Sequence, residues 1–105
     1  MYKIVATDAA EKDLSAIRDY LLNEFCNPLS VEDLFDEIRR AYEVLVDNPY
    51  AFEECRDSRL QRKGYRKCVV GGYLFVYRIE DDGNGDGIIH VIRYFHGLQN
   101  YITQL

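Results

Sequence analysis

The chain has 105 residues, 48% hydrophobic and 13% aromatic, with only two prolines. One domain of this size buries roughly two-thirds of its unfolded surface, and this composition excludes a disordered chain. The net charge of −5 hides a polarity: residues 1–55 carry 5 basic and 13 acidic side chains, whereas residues 56–105 carry 8 and 5.

Tyr2 to Ala6 alternates and is β-branched enough for a first strand, with Ile4 facing inward. Asp8 with Glu11 makes a capping box, and Ala10, Leu14, Ile17, Leu21 and Phe25 recur at helical spacing, which predicts a helix to about Phe25. Asn27-Pro28 forbids its continuation, and Ser30 is placed to cap a second helix. Val31, Leu34, Phe35, Ile38, Ala41, Tyr42 and Leu45 form that helix's apolar stripe, which suits a core better than a cofactor site. Asn48-Pro49 ends it. So short a connection between the two helices predicts an antiparallel helical hairpin.

From Tyr50 to Lys63 neither period holds, so a long loop or a partial short helix is expected. Arg56, Arg59, Arg62, Lys63, Arg66 and Lys67 cluster there, interrupted only by Asp57 among charged residues. Such a cluster suits a phosphate group or an acidic protein segment, and equally a solvated loop leading into a strand.

Two apolar runs, Tyr65–Val70 and Tyr73–Arg78, flank Gly71-Gly72, whose freedom at positive φ suits a two-residue β-hairpin turn. Such a turn sets Val70 opposite Tyr73, Cys68 opposite Phe75 and Arg66 opposite Tyr77 on one face. Val69 with Leu74, Lys67 with Val76 and Tyr65 with Arg78 occupy the other. The first face reads as core; the second grows basic away from the turn and reads as a working surface. A last strand spans Ile88 to Phe95, and Leu98 to Leu105 leaves room for about two turns of helix.

The expected fold is α+β, a single domain over residues 1–105 in the order β-α-α-β-β-β. Its N-terminal helical hairpin packs on a mostly antiparallel four-stranded sheet, with a short C-terminal helix. No apolar run approaches the ~18 residues of a membrane span, and no signal peptide is visible. Cys26, Cys55 and Cys68, odd in number and without a Cys-x-x-Cys pair, argue for reduced thiols and a cytoplasmic location.

Metal and nucleophile chemistry find little footing. Asp82, Asn84 and Asp86 match the first half of a calcium loop, but Arg93 stands where a bidentate Glu belongs and the flanks read as strands. A hairpin loop is the better reading. His90 and His96 are about 20 Å apart if both lie in one strand, too distant to share a metal. No cofactor is expected. The tail from Arg93 to Tyr101 sets Arg, His and Tyr at a strand end beyond the basic hairpin: a set able to cleave a phosphodiester by supplying a base, an acid and cations. His96 could equally cap the strand, and Tyr101 could pack.

Simple alternation puts Arg93 on one face with Val91 and Phe95, and His90, Ile92, Tyr94 and His96 on the other. If Arg93 is structural, Glu80 or Asp82 are its expected partners. If it belongs to the binding surface with His96 and Tyr101, its removal should cost recognition more than stability.

The element order, Gly64-Tyr65-Arg66-Lys67, the run Gly72 to Arg78, and the ending Val91-Ile92-Arg93-Tyr94-Phe95-His96-Gly97 with Tyr101 resemble the RelE/ParE superfamily of type II toxin–antitoxin toxins. The match spans almost the whole chain. The resemblance implies a growth-inhibiting toxin neutralised by a cognate antitoxin, with oligomers built through that antitoxin. The RelE branch cuts messenger RNA on the ribosome and carries an arginine directly after the tyrosine of its strand, where this chain has Leu74. The ParE branch, closer through Tyr73-Leu74-x-x-Tyr77-Arg78 and Arg93-x-x-His96-Gly97, inhibits DNA gyrase and is not a nuclease. Candidate target- or antitoxin-binding residues are then Arg59, Arg62, Lys63, Tyr65, Arg66, Lys67, Arg78 and Arg93. Lys67, Arg93, His96 and Tyr101 become catalytic only in a nuclease. A binding or regulatory module that keeps the toxin fold is a third possibility.

Overall fold

The computed structural model describes residues 1–24, 28–97 and 100–105, with the side chains of residues 28 and 29 left aside. The elements are β1 (Tyr2–Ala6), α1 (Asp8–Glu24), α2 (Pro28–Asp47), α3 (Ser58–Arg62), β2 (Tyr65–Val70), β3 (Tyr73–Asp81), β4 (Gly87–His96) and a 3₁₀ turn (Tyr101–Gln104). The expected end of the first helix at Phe25, the Asn27 break, Cys26, and Leu98 with Gln99 lie outside the described residues.

The four strands form one sheet in the order β1-β4-β3-β2. β2, β3 and β4 make an antiparallel meander, but β1 runs parallel to β4, pairing Tyr2 with Gly87 and Ala6 with Val91. The sheet is therefore mixed. A chain that leaves β1 through two helices and a hairpin returns by a long crossover, the kind of connection that permits parallel pairing.

The predicted hairpin register holds at every pair from Val70↔Tyr73 to Tyr65↔Arg78. Of the turn glycines, Gly71 takes a positive φ of 58°.

Two local caps differ from expectation. Thr7, and not Asp8, caps α1: its Oγ1 accepts the Ala10 amide at 3.0 Å and itself donates to the Ile92 carbonyl at 2.7 Å. α2 begins at Pro28, so Ser30 lies inside it; a first-turn proline loses nothing because its missing N–H would be unsatisfied anyway.

Both sheet faces are covered. Against α1 and α2 lie Tyr2, Cys68, Val70, Phe75, Tyr77, Ile89, Val91 and Tyr94, joined by Leu34, Ile38, Ala41 and Leu45 from α2. Full burial of each large apolar side chain contributes roughly 1.5–3 kcal/mol. Aromatic edges knit this layer, with Tyr42 perpendicular to Phe75 at 5.7 Å and bonded through its hydroxyl to that of Tyr94. Burial pushes both phenols above their ordinary range and the Cys68 thiol up to about 11. The opposite face, expected to be an open working surface, carries a second core: Leu74, Val76 and Phe95 buried with Cys55 and Leu60, under Tyr65, Tyr101, Ile102 and Leu105. The α3 segment and the 3₁₀ turn provide that cover, which no periodicity signalled because each is only a turn or so long.

A β-bulge reorders the last strand. Val76 pairs with Arg93 but Tyr77 with Val91, leaving Ile92 as the extra residue. Val91 and Tyr94 consequently share the helix-covered face, and Arg93 joins Phe95 and His90 on the other. The alternation expected from spacing alone fails at this residue.

Candidate target-binding face

The residues singled out from sequence fall around the second core. α3 is set by Asp57, whose carboxylate accepts the amides of Arg59 at 3.0 Å and Leu60 at 3.1 Å, and it is anchored by fully buried Leu60. This holds Arg59 and Lys63 over the C-terminal turn. Arg59 donates to the carbonyls of Ile102 at 2.6 Å and Leu105 at 2.8 Å, and Lys63 reaches the Leu105 oxygen at 3.1 Å. Two of the expected binding cations thus strap down their own chain. Arg62 is exposed on α3.

On β2 the cations alternate between faces. Arg66 sits on the helix-covered side at its rim, donating to the Phe52 carbonyl at 2.8 Å, facing Glu54 at 3.4 Å, and lying 5.0 Å from the Tyr50 ring. Lys67, on the other face, approaches Glu53 at 3.5 Å and the Tyr101 ring at 6.0 Å. The 53–55 segment also pairs along β2, with Cys55 N–H on the Tyr65 carbonyl and Lys67 N–H on the Glu53 carbonyl. It covers half of an edge strand that would otherwise invite pairing.

Lys67, Val76 and Arg93 stand in register across β2, β3 and β4, which puts the two cations about 10 Å apart. Arg93 lies 5.5 Å over the Phe95 ring, itself 6.0 Å from Tyr101. Its guanidinium is held by Asp13 of α1, with Nε donating at 2.5 Å and Nη2 at 2.9 Å. The same carboxylate accepts the Tyr94 amide at 3.0 Å. β1 ends opposite Val91, so beyond it Asp13 does what a neighbouring strand's carbonyl would do. This hydrogen bonding raises the Arg93 pKa further. Neither Glu80 nor Asp82 is the partner: Glu80 lies 3.5 Å from His90, and Asp82 accepts amides of its own loop, from Asn84 at 2.8 Å and Asp86 at 3.2 Å.

His96 belongs to the helix-covered face, with its ring edge-on to Tyr73 at 5.3 Å. The sheet therefore separates it from Lys67 and Tyr101, while Arg93, at the strand edge beyond β1, lines the same hollow of about 340 Å³ as His96. Tyr65 and Arg78 are half-buried and in register with His90, forming a row on the second face. Sequence reading missed Asp13, Glu53 and Glu54. Asp13 was discoverable: three residues after Ala10 and four before Ile17, it is a carboxylate at the margin of the α1 apolar stripe.

Among the described residues no three His, Cys, Asp or Glu side chains gather to hold a metal ion, and no helix is long and apolar enough to cross a membrane.

A helical hairpin on a mixed four-stranded sheet, with a basic β-hairpin flanked by a short helix and a C-terminal turn, is the architecture of the RelE/ParE toxins. The family model described as "ParE toxin of type II toxin-antitoxin system, parDE" matches residues 4–101, and the chain belongs to that family. No curated protein sequence matches it. Among solved structures it is similar to the chromosomal ParDE TA system from P. aeruginosa, with 19% identity over 91% of this chain and 96% of that one and a TM-score of 0.67. It is also similar to the toxin-antitoxin complex RelBE2 from Mycobacterium tuberculosis, with 21% identity over 90% and 96% and a TM-score of 0.58.

Proposed function

We propose that this chain is a growth-inhibiting toxin, neutralised by a cognate antitoxin in the cytoplasm, that acts by ParE-like binding to DNA gyrase without a cofactor. The observation that carries this reading is the separation of His96 from Lys67 and Tyr101 by the sheet. Cleavage at the 2′-hydroxyl needs a base, an acid and cations around one phosphate, and these four groups do not surround a common point. Leu74, where the nuclease branch has its arginine, is buried in the second core. The chain's acidity also suits a protein target better than ribosomal RNA, whose binding requires many phosphate neutralisations. Arg62, Tyr65, Lys67 and Arg78 form the contact face in this reading.

The proximity of Lys67 to Tyr101 favours one second reading, RelE-like cleavage of ribosome-bound message. Purified protein distinguishes the two: it should block gyrase supercoiling at concentrations that leave ribosome-bound message intact. Site-specific cleavage of that message, abolished in Lys67→Ala, overturns the proposal in favour of the nuclease. Absence of both effects leaves the binding module.

A further inference from the structure

The loop between β3 and β4 reads Asp81-Asp82-Gly83-Asn84-Gly85-Asp86-Gly87, and Asp81 to Asp86 are all exposed. At three places in it a carboxyl or carboxamide precedes glycine. There the next residue's amide nitrogen can attack the side chain with no Cβ in the way. The fold treats the three differently. Gly83 N–H is held by Asp81 Oδ1 at 2.8 Å, which occupies the nitrogen that would attack Asp82. Gly87 is paired on both sides, with Asp81 and with Tyr2, and a Cβ there would collide with the Glu80 carbonyl. Its backbone has no room to turn onto Asp86.

Asn84 with Gly85 is open where the other two are closed. Asp82 Oδ1 accepts the Asn84 amide at 2.8 Å and the Asp86 amide at 3.2 Å, passing over the one between them. Among the described residues the Gly85 N–H meets no acceptor and the Asn84 carboxamide no partner. Nothing lies within 4 Å of where a Gly85 Cβ would stand. The backbone is thus fixed on either side of an unoccupied nucleophile whose electrophile is its own neighbour, the condition under which an intramolecular step gains most. The remaining asparagines lack it. Asn27 and Asn48 precede prolines, which have no N–H to give up, and Asn23 and Asn100 precede Glu24 and Tyr101, whose side chains crowd the nitrogen.

We propose that Asn84 is a self-acting modification site, converted without an enzyme to aspartate and isoaspartate. The Gly85 nitrogen bonds to Cγ of Asn84, and its proton leaves with the carboxamide nitrogen as ammonia, closing a succinimide. Water then adds to one of the two ring carbonyls and breaks that carbon's bond to the Gly85 nitrogen, which recovers a proton. Opening at Cγ gives aspartate; opening at the backbone carbonyl gives isoaspartate. The second product lengthens the main chain by one carbon between the two amides that Asp82 Oδ1 spans, and either product adds a negative charge beside Asp82 and Asp86. The displacement falls on Gly87 and Asp81, which anchor the Tyr2 end of β1 by strand pairing and by the Tyr2 hydroxyl. Older molecules therefore carry a loosened first strand.

The test incubates the folded full chain at neutral pH in heavy-oxygen water and maps its peptides by mass spectrometry, with an isoaspartyl-specific methyltransferase and labelled S-adenosylmethionine as the probe of the longer backbone. Heavy oxygen and methyl label should both accumulate at residue 84 alone. Gly85→Ala should slow this at least about tenfold. Because alanine is strained at the Gly85 φ of 84°, Asn84→Gln provides a second block and should take up no label. In the isoaspartyl form, hydrogen exchange at Asp82, Asp86 and Lys3–Val5 should rise at least about tenfold, whereas Asn84→Asp, with the same charge on an ordinary backbone, should stay near the parent. An intact Asn84 after prolonged incubation, conversion as fast at Asn23 or Asn100, isoaspartate at Asp82 or Asp86, an unchanged rate in Gly85→Ala, or equal exchange in the two acidic forms overturns the proposal. Growth inhibition does not enter these readouts, so the site stands or falls apart from the toxin reading.

Discussion

Asp13 serves two donors with one carboxylate, so its variants separate charge from backbone pairing. Asp13→Ala leaves the Tyr94 amide and the half-buried Arg93 unmatched and should cost about 1–3 kcal/mol in chemical denaturation. Asp13→Asn, which keeps an acceptor for the amide, should cost less. Because Arg93 has this acidic partner, Arg93→Ala should lower the melting temperature while folded protein still inhibits growth; a stable but inactive variant would return Arg93 to the contact face. A second carboxylate sets the acid limit. Asp81 accepts the Gly83 amide and the hydroxyls of Tyr2 and Tyr50, which hold its carboxyl below the ordinary range. A depressed folded pKa means stability present above the unfolded value near 4 and lost as pH falls through the folded one. Tyr2 behaves inversely: hydrogen bonding to Asp81 pushes its phenol up to about 12, so its contribution is fully present below the unfolded value near 10 and lost as pH rises from there through the folded value. Asp81→Asn should therefore flatten both limbs of a plot of melting temperature against pH.

Elements with a sustained period were legible: both helix stripes, the hairpin and its register follow from spacing and from two glycines. What stayed hidden were devices one residue or one turn long. The bulge at Ile92 has no composition signature, yet it decides that Val91 and Arg93 face opposite ways. Deleting Ile92 would leave Val91 and Tyr94 toward the helices and Arg93 with Phe95 on the other face in strict alternation, so cooperative unfolding should survive; its loss in chemical denaturation would show that the bulge itself is required. The other hidden device is α3, too short to show an apolar stripe, whose formation depends on one cap. Asp57→Ala should cost about 1 kcal/mol and, by loosening Arg59 and Lys63, increase hydrogen exchange at Ile102 and Thr103. Unchanged exchange there would show that Ile102 and Leu105 hold the turn through apolar contact alone. The candidate site was legible as a set of cations but not as a set of pairs, since the acids that engage them lie 12 to 80 residues away in sequence.

At the scale of the molecule, charge divides the protein into an acidic helical layer and a basic hairpin side. Expression alone should slow bacterial growth, and a small neighbouring reading frame should restore it; soluble protein without effect in its native host would count against the toxin role. The parallel pairing of β1 with β4 carries a further consequence, for the order in which the protein comes into being. Tyr2–Ala6 leaves the ribosome well before Gly87–Val91, which is its only strand neighbour among the described residues. At about 5–20 residues per second, that neighbour is synthesised several seconds later. Until then α1 and α2 have no complete sheet to pack on, and the nascent chain exposes the apolar stripes that the finished protein hides. A partner synthesised nearby meets an unfinished toxin before it meets a folded one, and neutralisation can begin as a folding event.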